Sequence, residues 1–248
     1  MRVTRARRRH RLALLLAAAA LGAGASAQAG VLVFRIEDAS RLHLFLADGR
    51  GEPLRTLRRA AELAAASQQR LVFAMNAGIY EPDLRPTGLA IEAGGVLAPL
   101  NTRQGDGNFH ASPNGVFYVA AQGAAIARTA TFAATPPRGV RLATQSGPVL
   151  LEDGAMPAAS VRAAPGPAAR HFKRNAVCAD GGVATLVMVD DEVTLHELAV
   201  LLRDRVGCRN ALYMDGAISQ VLDARSGRVD EDVPLGPILG VVEPAARR

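Results

Sequence analysis

The chain has no tryptophan, only 3 tyrosines and 7 phenylalanines, and 2 cysteines in 248 residues. Two cysteines, Cys178 and Cys208, cannot build the dense disulfide framework of a small secreted scaffold. Cysteine and histidine nowhere cluster at zinc-ligand spacing, because His43, His110, His171 and His196 lie scattered. No segment is long and apolar enough to cross a membrane as a helix, so stable membrane insertion is not expected. Gly-x-Ser-x-Gly is absent, which argues against a serine-hydrolase elbow around Ser146 or Ser219. No cofactor-binding motif, internal repeat or dividing linker is visible either. What remains is a chain with enough apolar residues for one full-sized core.

The positive charge sits mostly at one end. Arg2, Arg5, Arg7, Arg8, Arg9 and Arg11 form a basic stretch, followed by an apolar run over 12–21. Ala25-Ser26-Ala27 and Ala27-Gln28-Ala29 both offer small-x-small cleavage sites. This pattern predicts a signal peptide over 1–29 and a mature domain over 30–248, exported to the periplasm or secreted. Of the 29 basic residues 6 lie in the leader without any acid, which leaves 23 basic against 23 acidic. That balance gives no reason to expect nucleic acid as a partner. Export permits a Cys178–Cys208 disulfide, and two buried thiols are the alternative.

Along the mature chain, alternating apolar runs predict strands at 31–36 and 42–46. Pro53 is expected to open a helix to about Gln68, with Leu54, Leu57, Ala61 and Leu63 on one face. A buried strand over 71–75 ends abruptly at Asn76-Ala77-Gly78. Segments 88–92 and 96–100 form a hairpin around Gly94-Gly95. The polar loop 101–114 precedes a strand over 116–120, and loops of that length often carry function. Segment 121–141 has no readable pattern, and 155–169 predicts an irregular surface loop. Strands over 173–177 and 183–189 pair as a second hairpin. Thr194 with Glu197 is a capping box opening a helix to Val206, with Gly207 as its left-handed stop. The last strand spans 237–242. The fold class is therefore α+β, a single domain with a mixed, largely antiparallel sheet core and two main helices, near 53–68 and 194–206.

One stretch concentrates chemistry. Residues 211–214 read as a short buried strand that delivers Asp215 into Gly216-Ala217, with Ser219 just beyond. A strand end running into a small-residue turn can project a carboxylate, and free backbone N–H groups there can cradle an anion. An ordinary Asp-Gly turn closing a strand has the same pattern.

Five segments taken in order resemble the phosphodiester glycosidase family, and most closely its exported bacterial branch. They are Met75-Asn76-Ala77-Gly78-Ile79-Tyr80, Gly107-Asn108-Phe109 with Pro113-Asn114-Gly115-Val116-Phe117, and Gln145-Ser146-Gly147-Pro148. Arg174-Asn175-Ala176-Val177 and Ala211-Leu212-Tyr213-Met214-Asp215-Gly216 complete the set. The resemblance implies cleavage of the glycosidic bond of a sugar-1-phosphodiester, on a small molecule or a polymer; no cofactor is expected and no metal-ligand set is named, the metal requirement staying open. It gives Asp215 a catalytic role, with Glu81 or Glu192 as the second carboxylate. Arg174 would then hold phosphate in a guanidinium fork. Asn76, Gly78, Asn108, Asn114, Gln145, Ser146, Gly147, Asn175, Gly216 and Ser219 would bind substrate. The sequence departs from the family at Ala217, where a second glycine is common, and at Cys178, where glycine is expected. Two other readings fit the same residues. The polar loops could make an envelope glycan-binding module without turnover, or Asp215 with the acids at 190–192 could serve a metal-dependent phosphoesterase. The oligomeric state is not legible.

Overall fold

A computed structural model of the chain describes residues 30–162, 166 and 169–245. The predicted signal peptide, and residues 163–165 and 167–168 of the predicted surface loop, lie outside the described residues. In chain order the strands are β1 (Val31–Ile36), β2 (Leu42–Phe45), β3 (Gln69–Asn76), β4 (Ala90–Glu92), β5 (Gly95–Ala98), β6 (Gly115–Ala120), β7 (Gly123–Arg128) and β8 (Leu142–Ser146). They continue as β9 (Val149–Leu151), β10 (Phe172–Asp180), β11 (Val183–Val193), β12 (Ala211–Tyr213), β13 (Val221–Asp223), β14 (Arg228–Val229) and β15 (Ile238–Pro244). The α-helices are α1 (Leu57–Ala66), α2 (Thr129–Ala134), α3 (Ala159–Arg162) and α4 (Leu195–Leu201).

These strands form three five-stranded sheets, ordered β1-β11-β10-β12-β9, β14-β13-β3-β15-β2 and β5-β4-β8-β6-β7. Every strand pairing among the described residues is antiparallel. The inner faces share one core that joins Met75 and Phe73 from β3, Phe117 from β6 and Leu142 from β8 to Leu186 and Met188 from β11. Strand alternation explains why each sheet needs a cover: on β11, Leu186 and Met188 face this core while Val187 and Val189 face outward. That outer face packs on Leu198, Ala199 and Leu202 of the α4 region. Helix α1 covers the second sheet through Leu57, Ala60 and Ala64. Phe132 of α2 covers the third, against Val116 and Ala143.

Two predicted boundaries move. Pro53 does not open α1: it pairs in a bridge with Ala47, Arg55 takes φ 67°, and the helix starts after Thr56, whose side chain accepts from the Arg59 N–H. The Thr56 hydroxyl sets the start because it accepts a terminal N–H of the helix, for which proline has no side-chain acceptor. The segment without a readable pattern, 121–141, holds β7 and α2. Its alanines carry little of the periodic contrast that makes an element legible. The predicted capping box at Thr194 and Glu197 is present, and Gly207 ends the helical segment at φ 82° after one wide turn over Leu202–Val206. Cys178 of β10 and Cys208 beyond that turn form a disulfide.

Candidate active site

Three strands from three sheets end at one place: β3 at Asn76, β8 at Ser146 and β12 at Tyr213. Asn76 is fully buried and uses every part of its amide. Its Nδ2 donates to the Asp215 carbonyl at 2.7 Å, and its Oδ1 accepts the Gln220 N–H at 3.0 Å. Its own carbonyl accepts Asn175 Nδ2 at 2.7 Å. Ser146 Oγ donates to the Met214 carbonyl at 3.0 Å, and Ser219 Oγ donates to Asn175 Oδ1 at 3.5 Å. Buried amides and hydroxyls must be satisfied internally, so this network fixes the backbone from Met214 to Gln220. Asn76, Ser146 and Asn175 are thus the frame of the Asp215 turn.

The turn is braced from below. Tyr213, 1% exposed, accepts two hydrogen bonds at its hydroxyl oxygen, from Arg174 Nη1 at 2.9 Å and from the Gly216 N–H at 2.6 Å. A Cβ on Gly216 would meet that oxygen at 2.4 Å, which is why glycine stands there. The N–H predicted to be free for an anion is therefore spent on a tyrosine. Ser219 N–H likewise returns to the Gly216 carbonyl at 3.4 Å.

Arg174 differs from its expected role. It is 3% exposed, and Nε donates to the Val193 carbonyl at 2.6 Å while Nη2 donates to the Arg170 carbonyl at 2.9 Å. The guanidinium also lies 5.4 Å from the Phe172 ring and 5.5 Å from the Tyr213 ring. A fork committed on three sides to the protein does not open toward solvent. The preceding residue takes the other face of β10, and Lys173 is exposed. It is the only lysine in the chain.

Lys173 lines a cleft of about 260 Å³, together with Phe172, Glu192, Gly216, Ser219 and Asp232. Of the predicted residues this cleft gathers Glu192, Gly216 and Ser219, beside the partly exposed Asp215. Glu81 faces a different and larger cleft. Tyr80, next to Glu81 in the chain, donates its hydroxyl to the Pro234 carbonyl at 2.8 Å, and its ring seats against Gly236. Burial, and then the charge of Asp215, push the Tyr80 phenol up to about 12. Burial likewise raises the Tyr213 phenol, with Arg174 opposing and Asp215 reinforcing the shift. Both shifts put the Asp215 carboxylate within electrostatic reach of two phenols that keep their protons.

Of the remaining predicted residues, Gly78, Asn114, Gln145 and Gly147 form a second cluster at the 101–114 loop. Gln145 accepts the Leu89 and Asn101 N–H groups, both at 2.9 Å, and donates to the Asn101 carbonyl at 2.7 Å and Asn114 Oδ1 at 2.9 Å. Asn114 also bonds the Phe109 carbonyl and the Thr129 hydroxyl. Gly78 donates to Thr144 Oγ1 at 3.2 Å, and a Cβ there would meet the Gln145 carbonyl at 2.3 Å. A Cβ on Gly147 would meet Asn114 Nδ2 and the Phe109 carbonyl at 2.9 Å. Asn108 is exposed on the loop. Adjacent residues of β8 serve the two clusters, Gln145 this one and Ser146 the other, as strand alternation requires. Among the described residues no three His, Cys, Asp or Glu side chains converge as a metal site.

Residues 69–241 match the phosphodiester glycosidase family. The chain belongs to that family. A relative from Escherichia coli strain K12, the uncharacterised protein YigE, is 32% identical over 155 residues. That match covers 62% of this chain and 59% of the relative, so the alignment spans well under two thirds of the relative's length. Among solved structures, the chain is similar to the catalytic domain of zebrafish N-acetylglucosamine-1-phosphodiester alpha-N-acetylglucosaminidase, auto-inhibited by its pro-peptide. The TM-score is 0.64 at 14% identity, covering 86% of this chain and 76% of that one. A hypothetical protein from Synechocystis follows, with TM-score 0.52, 15% identity and coverage of 88% and 60%. At these identities the structures show a shared fold. Within that phosphodiester glycosidase fold, Tyr80, Lys173, Tyr213 and Asp232 were not among the predicted site residues. Both tyrosines stood inside the quoted motifs, and the alternation of Lys173 with Arg174 on one strand was the signal that could have found the lysine.

Proposed function

We propose that this protein hydrolyses the glycosidic C–O bond of a sugar-1-phosphodiester, releasing free sugar and a phosphomonoester. The observation that carries the reading is the convergence of Glu192, Lys173, Gly216 and Ser219 on one cleft, with Asp215 next in the chain to Gly216, inside a phosphodiester glycosidase fold. The name of the zebrafish enzyme, an N-acetylglucosamine-1-phosphodiester hydrolase, supports this substrate class. In the reaction the C1–O bond breaks, its electron pair stays on the phosphate oxygen, and the oxygen of water becomes the new sugar hydroxyl. One proton of that water passes through a carboxylate to the phosphate. The departing phosphomonoester is a weakly basic leaving group, so charge stabilisation matters more than strong acid assistance. Asp215 faces the anomeric carbon and stabilises its positive charge, while Glu192 takes the proton of water. Lys173 neutralises the phosphate as a point charge. Arg174 acts through Tyr213, positioning the turn that carries Asp215. Glu81 lines the larger cleft instead.

We also read the protein as exported, after cleavage behind Ala27 or Ala29. The Cys178–Cys208 disulfide supports an oxidising compartment. The N-terminal residue of protein recovered from the cell envelope, found by mass spectrometry, tests this. The catalytic reading is tested with a panel of sugar-1-phosphodiesters. Wild type should release free sugar from at least one, and Asp215→Asn should lower kcat by roughly a hundredfold or more. Glycan binding that survives Asp215→Asn, with no turnover by wild type, would favour a binding module instead.

A further inference from the structure

The larger cleft, of about 1040 Å³, is lined by Glu81, the residue after Tyr80. A 260 Å³ cleft suffices for one sugar and its phosphate and leaves little room for what the phosphate is esterified to. Tyr80 links the residues that line the two clefts. Tyr80 bonds Pro234, whose neighbour Val233 lines the small cleft, while Glu81, next to Tyr80, lines the large one. The walls of the large cleft are unusual for a polar protein surface. Pro53, Pro86, Pro99, Leu97 and Leu100 line it, and Leu97 is 52% exposed. Among the described residues the exposed large hydrophobics are Val96, Leu97 and Val233. Leu97 and Val233 therefore each line one of the two clefts, and Val96 adjoins Leu97. Leu97 sits on β5, the edge strand of its sheet, paired on one side with β4. Of the cleft's charged lining, Arg85 pairs with Asp83 at 2.6 Å, and Glu81 and Arg103 add one charge of each sign. Exposed apolar side chains lining a cleft are the mark of a ligand that is itself partly apolar.

We infer that the larger cleft receives the alcohol half of the phosphodiester, and that this alcohol carries an apolar chain. The inference rests on the phosphodiester glycosidase reading above and names the part of the substrate that reading leaves open. Phosphate seated at Lys173 would send its second ester oxygen past Tyr80 toward Leu97. Tyr80, held by Gly236 and Pro234, then sets the angle between the halves. The sugar would be selected in the small cleft and the alcohol in the large one, by independent contacts.

The test is a chain-length series: the methyl, butyl and octyl phosphodiesters of one sugar, with kcat/KM measured for wild type and Leu97→Asp. Burying methylenes should raise kcat/KM by about thirtyfold or more from methyl to octyl in wild type. In Leu97→Asp the octyl-to-methyl ratio should fall close to one. Leu97 is exposed at a sheet edge, so the variant should fold, and the wild-type series stands without it. Measurable methyl-diester hydrolysis with no rise along the series would overturn the apolar subsite and leave the glycosidase reading intact. A rise that Leu97→Asp does not diminish would overturn the placement in this cleft. If no phosphodiester of any length is hydrolysed, the glycosidase reading fails and this inference fails with it.

Discussion

Removing a single oxygen atom should separate a positioning role from a merely structural one. In Tyr213→Phe the ring keeps its shape in the core, but two buried donors lose their acceptor, Arg174 Nη1 and the Gly216 N–H. Leaving a buried donor unsatisfied costs about 1–3 kcal/mol, more for a charged group. Two such losses total roughly 2–5 kcal/mol, a large share of the stability of an ordinary domain. Because the Gly216 N–H adjoins Asp215, the turn should also shift, and a displacement of about 1 Å can lower turnover a hundredfold. Stability is read by urea unfolding followed by circular dichroism, since the chain has no tryptophan for fluorescence. Activity is read as kcat and KM on the same preparation, with kcat expected to fall more than KM rises. A second perturbation checks the geometry independently. Gly216→Ala brings a methyl to 2.4 Å from the Tyr213 hydroxyl, so its cost should shrink when Tyr213→Phe is already present. Stability within about 0.5 kcal/mol of wild type together with an unchanged kcat in Tyr213→Phe would refute the reasoning.

Lys173→Met should raise KM for phosphodiesters about tenfold or more with little change in stability, because Lys173 is exposed at the cleft. Arg174→Met should instead lower the urea midpoint, having removed a buried side chain with three acceptors. Cys208→Ser opens a link between residues 30 apart and should cost about 2–4 kcal/mol in the same assay. Hydrogen bonds from Arg228, at 2.7 and 2.8 Å, hold the Asp190 carboxyl below its ordinary value of 3.8. The folded-state pKa is depressed, so this pair stabilises above about pH 4 and its contribution is lost as pH falls through the folded value. Asp190→Asn should accordingly flatten the fall in stability below pH 4, measured as urea midpoints across an acid series.

Much of the fold was legible because its strands are short, apolar and bounded by turn residues. The β10–β11 hairpin, the capping box at Thr194 and the last strand all follow from local pattern. Segment 121–141 was not, because alanine and threonine give β7 and α2 no period to read. The residues at the site were legible as a set, though their roles were not. Asn76, Gln145, Ser146 and Arg174 look like ligands in sequence, since polar side chains at strand ends usually face solvent. In the fold their polar atoms are spent on carbonyls and N–H groups of neighbouring strands, and long-range partners of that kind leave no trace in spacing. Lys173 and Arg174 show the limit most clearly. Two cations stand side by side, and only the register of β10 decides which one faces the cleft.

The central claim is that the bond broken lies between sugar carbon and oxygen, at the Asp215 cleft. Hydrolysis of a sugar-1-phosphodiester in water enriched in oxygen-18, followed by mass spectrometry of both products, tests it directly. The account predicts the label in the hydroxyl of the free sugar, none in the phosphomonoester, and loss of both products in Asp215→Asn. Label in the phosphate, with an unlabelled sugar, would mean attack at phosphorus and would contradict the account.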